Sequence, residues 1–172
     1  MPKIRTLNQL SHLKESGFGQ PWPRHGLKLL YWFAHKYVDF DEDNAMCWRY
    51  DPERRWYGFH PFENRYDENV KLLPDTYLPY YEVGNLGKPR AHKLPKYVRG
   101  DYTGYHDNSN IDRVIVRVKD EHFDRVYVTE HHGESEYNPR GTYRISRGLI
   151  KIIQEYTLDG FLMDTQNISL IL

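Results

Sequence analysis

The chain has 172 residues, room for one domain (1–172), and its 24 Lys and Arg balance 24 Asp and Glu, so no global field selects nucleic acid or an anionic membrane. Leu, Ile, Val and Phe make up about 24% of it, above the roughly 20% below which disorder is the default, so a core is attainable despite a mean hydropathy of −0.82. A single cysteine, Cys47, excludes an internal disulfide framework, and with no signal-type apolar segment and no run near about 18 apolar residues, the expectation is a cytoplasmic protein without a membrane partner.

Leu7, Leu10 and Leu13 recur at helical spacing after Thr6 and before Gly17, which predicts a helix over residues 6–16. Gly17 to Pro23 is punctuated by Gly and Pro and is expected to be irregular, with Phe18 and Trp22 pressed onto the core. Leu27, Leu30, Ala34 and Tyr37 share one face of a second helix over residues 26–38, and the acidic run Asp39 to Asp43 ends it as solvated chain. Residues 45–50 and 55–60 read as a hairpin about the turn Asp51-Pro52-Glu53-Arg54. The aromatic group Trp48, Tyr50, Trp56, Tyr57 and Phe59 reads as core.

Residues 61–110 carry prolines at 61, 74, 79, 89 and 95 and show one short strand, Tyr80 to Val83. So long an irregular stretch is unusual in a compact domain and suggests functional loops. Strands follow at 113–118, 125–129 and 141–146, the first two joined by a polar turn from Lys119 to Asp124. Ser146 caps a helix with Leu149, Ile152, Ile153 and Tyr156 on one face. Thr157 caps a last short turn through Phe161 and Leu162, and residues 168–172 are apolar enough for an edge strand. Helices and strands are segregated, so the predicted class is α+β: a mostly antiparallel sheet, helices at the N-terminus and near the C-terminus, and a long irregular middle.

Strand side chains alternate between faces. With the valines of 114–118 and 126–128 turned inward, the outer face collects Arg113, Arg117, Arg125, Tyr127, Thr129, His131, Thr142 and Arg144, and no carboxylate. Guanidinium forks and hydroxyls suit phosphate oxygens. The segment 88–106 adds Lys96, Arg99 and other cations interleaved with Tyr97, Tyr102 and Tyr105, the pattern of a groove for single-stranded nucleic acid. Arg, Thr and Tyr also suit any half-exposed sheet, so the pattern alone does not establish a site.

For catalysis the sequence offers His131 as general base or acid, with Arg144 and Thr142 beside it and Glu82 or His106 as partner, a set that could serve metal-independent RNA cleavage. His131 and His132 point to opposite faces of a strand and make a poor metal pair, and the Asx-rich stretch 106–112 lacks the Gly and terminal Glu of a calcium loop, so no metal is expected. Cys47 has no nearby base and reads as a packing thiol. No glycine-rich nucleotide loop or nucleophile elbow occurs, and no cofactor is implied. Two functions remain: recognition of single-stranded RNA or a nucleotide on the basic face, or a non-catalytic module that binds a protein partner or a second copy of itself.

Overall fold

The computed structural model of the chain describes residues 3–12, 24–49, 59–64, 72–84, 95–99, 113–129 and 142–166. Its centre is one eight-stranded sheet built from β1 (Lys3–Ile4), β2 (Val38–Phe40), β3 (Met46–Trp48), β4 (His60–Phe62), β5 (Tyr80–Val83), β6 (Arg113–Lys119), β7 (His122–Thr129) and β8 (Thr142–Ile145). The main order is β1-β8-β7-β6-β5-β4. All its pairs are antiparallel except β1 with β8, which is parallel, and the β2–β3 hairpin joins β7 through the pair Cys47↔His122. With helices grouped before and after the long strands, this is the α+β class the sequence predicts.

Local chemistry accounts for the helix ends. Thr6 and Gln9 form a reciprocal capping box that starts α1 (Leu7–Ser11). The Ser146 hydroxyl accepts from the Leu149 amide at 3.0 Å and starts α4 (Arg147–Ile153), while the Ser146 amide donates to Ile4 and extends the β1–β8 pairing. Thr157 accepts from the Gly160 amide at the start of α5 (Leu158–Gln166), which runs well beyond the short turn expected there. Between these lie α2 (Arg24–Tyr37) and the short α3 (Lys96–Arg99). No helix among the described residues is long and apolar enough to cross a membrane.

Two cores form because both faces of the sheet are covered. On one face, Val114, Val116, Val126, Val128 and Ile145 meet Leu30 and Phe33 of α2, Leu149 and Ile153 of α4, and Phe161 of α5, all essentially without exposure. Aromatic contacts tie the β2–β3 hairpin to this core: Trp48 lies 4.2 Å from Phe123 of β7 and stands edge-on to Tyr37 of α2 at 6.2 Å. On the opposite face, Leu72, Leu73, Tyr80, Ile115 and Tyr127 form a second, smaller cluster with Phe62 beside it. The buried Asn64 holds that cover in place, donating to the Leu73 carbonyl at 2.9 Å and accepting from its amide at 2.7 Å.

Three expectations need correction. The strand at 46–48 pairs with 38–40, because Tyr37 ends α2 directly into β2 and the acidic run, expected as solvated chain, becomes the end of β2 and a tight turn from Asp41 to Ala45. His60 to Phe62 instead lies at the far edge of the sheet, against β5. The turn between β6 and β7 is two residues, Asp120 and Glu121, both at positive φ (49° and 69°), rather than the six from 119 to 124. The segments 50–58, 106–112 and 168–172, read above as turns and strands, lie outside the described residues.

Candidate functional site

The register gathers the expected residues in three rows across one face. Arg113, Thr129 and Thr142 are opposite one another on β6, β7 and β8. Glu82, Ile115, Tyr127, Arg144 and Lys3 make the next row across five strands. Tyr80, Arg117 and Arg125 make the third. Alternation therefore assigns the face correctly, but the face is not an open one. Arg113 is 5% exposed, Thr129 0%, Thr142 1%, Tyr127 1% and Glu82 5%.

These buried groups bond within the protein. The Thr129 and Thr142 hydroxyls share a 2.8 Å hydrogen bond, and the Arg113 guanidinium reaches the Gly84 carbonyl at 3.4 Å. Thr142, expected to be catalytic, is thus engaged within a covered sheet, and Glu82, expected as its partner, is buried in the same face. Arg117 is also held: its Nε donates to Asp124 Oδ2 at 2.6 Å. A register shift at Arg117/Val118 makes Asp124 the extra residue of a bulge, so both Asp124 and Arg125 oppose Arg117. The bulge places a carboxylate where strict alternation allows none.

Exposure grows toward β8 and β1, and there the cations open onto a cleft of about 650 Å³. Its basic side is Lys3, Arg125, Arg144 and Arg147, and its other wall is the β2–β3 turn with Asp41 and Asp43 and the β6–β7 turn with Asp120 and His122. The basic side is electrostatically crowded. Arg144, its register neighbour, pushes the Lys3 ammonium below its ordinary pKa, with desolvation and then Arg5, Arg147 and Arg125 adding to it. Burial lowers Arg144, and Arg125 lowers it further. Arg125 donates to the Tyr127 hydroxyl at 3.2 Å, which fixes its guanidinium over the sheet.

Across the cleft, Asp41 organises its own turn. Its Oδ1 accepts from the Asp43 and Ala45 amides at 2.9 and 3.0 Å, and its Oδ2 takes His122 Nε2 at 2.7 Å. The other ring nitrogen of His122 meets the Asp120 carbonyl at 2.8 Å. Cys47 is half-buried beside this group, its thiol pushed up by burial and then by Asp39 and Asp41.

Of the remaining expected site residues, Lys96 and Arg99 lie on α3, which packs against α2 on the helical side of the sheet, away from the arginine face. Val98 of α3 enters the main core, and half-buried Tyr97, edge-on to Tyr31 at 6.4 Å, has its hydroxyl pushed up to about 12 by burial, with Tyr31 adding to it. The α3 segment therefore does not extend the basic face as expected. His131, His106 and Tyr102 lie outside the described residues. Sequence reasoning missed Lys3, Arg147 and His122: a two-residue strand has no periodicity to detect, and His122 falls in what reads as a turn. No protein-family model matches the chain, and neither a curated protein nor a solved structure matches it.

Proposed function

We propose that this protein, in the cytoplasm, binds a phosphate-bearing ligand, a nucleotide or single-stranded RNA, in the cleft beside β1 and β8. The observation that carries this reading is the crowding of Lys3, Arg125, Arg144 and Arg147 on one wall, with mutual repulsion strong enough to depress Lys3. An anion seated among them relieves that repulsion, and guanidinium forks match its oxygens. The cleft volume suits a small ligand or a few nucleotides.

Anisotropy of a labelled single-stranded oligoribonucleotide at low salt tests it. Binding should weaken with salt at a log–log slope of about −2 to −3, as expected for three or four phosphate contacts, and Arg125→Glu and Arg144→Glu should each weaken it about tenfold or more. Unchanged affinity in both variants refutes the reading. Failure of the oligonucleotide and of nucleotides to bind at all moves the choice to a protein partner or a second copy of the chain. Metal-independent cleavage needs a proton-transfer group such as His131 or His106, and incubation with the RNA in EDTA beside His131→Ala tests that separately.

A further inference from the structure

The β2–β3 hairpin pairs with the main sheet at one register position, Cys47↔His122, while Val38, Met46 and Trp48 anchor its strands in the core; its turn lies beyond those anchors. His122 adds a side-chain contact to the turn itself. Both of its ring nitrogens face acceptors, the Asp41 carboxylate at 2.7 Å and the Asp120 carbonyl at 2.8 Å. A neutral imidazole has one N–H and one lone pair, so it satisfies one of these oxygens and repels the other; only the imidazolium donates to both. Asp41, in turn, fixes the amides of Asp43 and Ala45, so the carboxylate that grips the ring also shapes the turn.

We propose that protonated His122 is a latch holding the β2–β3 turn against the β6–β7 turn, and that its deprotonation releases this wall of the cleft. The effect on ligand rests on the phosphate-binding reading above; the latch itself does not. The groups facing the ring are Asp41 from the β2–β3 turn, Asp120 from its own turn, Lys119 across the β6 register and Cys47 across the β3 register. Asp43 and Asp124 line the same cleft, and Lys151 of α4 holds the turn from its other side through Asn44 at 2.6 Å.

The bond to Asp41, then that to Asp120, raises His122 above the ordinary imidazole value against a small desolvation effect. A raised folded-state value means the contact contributes fully below the unfolded value and is lost as pH rises through the folded one. Asp41 is shifted down, first by the Ala45 amide and then by His122, so its contribution is lost only as pH falls into the acid carboxylate range. The latch is therefore closed below the ordinary imidazole value, down to the acid carboxylate range, and opens as pH rises through the raised value of His122. With His122 38% and Asp41 32% exposed, solvent softens the contact, which suits a switch better than a structural anchor.

An NMR pH titration of the whole protein tests the latch by following the His122 ring nitrogens together with the Asp43 and Ala45 amides. The ring midpoint should lie above about 6.5, the turn amides should share it, and Asp41→Asn should return the ring to the ordinary range. A ring that titrates at or below that value, or turn amides that ignore its titration, overturns the latch. For the ligand, a single-stranded oligoribonucleotide is the probe, because its phosphodiesters do not titrate in this window. Its affinity should fall roughly twofold to threefold across the ring midpoint and stay flat in His122→Gln. Failure of the oligonucleotide to bind at every pH defeats the phosphate reading, and the ring and amide shifts then uphold or overturn the latch by themselves.

Discussion

Thr129 and Thr142 illustrate how a side chain's neighbours change its meaning. On an open strand face each hydroxyl is a donor for a ligand; here both are buried and hydrogen-bonded to each other. Thr142→Val removes one partner of that bond and should destabilise the protein by about 1 kcal/mol in urea unfolding, with no change in ligand affinity. Period-two alternation is enough to place Arg113, Arg117, Arg125, Tyr127, Thr129, Thr142 and Arg144 on one face. Alternation is silent about what covers that face. The continuous run Val114-Ile115-Val116 is the warning available in the sequence, since a strand buried on both sides loses its polar alternate positions. Asp124 is invisible for another reason: a bulge leaves no mark in local composition, yet it redirects one carboxylate onto Arg117.

Among the elements, those with strong local signals appear where the sequence places them: α2 by its apolar stripe, β6 and β7 by their valines, and α4 by the Ser146 cap. Pairings between short strands do not, because two- and three-residue strands such as β1 and β2 are defined by their partners rather than by their own residues. The β6–β7 turn combines both lessons. A two-residue hairpin turn with both residues at positive φ favours Asn-Gly, whereas Asp120-Glu121 supplies no glycine, so the sequence shows only a polar stretch. Replacing the pair with Asn-Gly relieves left-handed backbone at two side-chain-bearing residues. It should raise stability by about 1 kcal/mol, read as a higher midpoint in thermal or urea unfolding, and a loss of stability would contradict the turn geometry.

Among the described residues, the molecule is a sheet with helices on one face and a smaller cluster on the other, with a cleft where β8 and β1 meet the two turns. Ile115 measures how real that smaller cluster is. Fully buried against Leu72, Leu73 and Tyr127, it should lose about 2–4 kcal/mol on substitution to Ala; a cost below about 1 kcal/mol would mean the second face is open. The covered centre is also why the basic face contracts to its edge. Half of its candidate donors are inside the protein, and the cations left at the edge, Arg125 and Arg144, combine with Lys3 and Arg147 from elements the sequence does not connect to them. The most direct test of the phosphate reading is an amide chemical-shift map of the labelled protein during titration with a single-stranded oligoribonucleotide at low salt. The shifts should concentrate at Lys3, Arg125, Arg144 and Arg147. Shifts confined to α3, or none at saturating oligonucleotide, would contradict it.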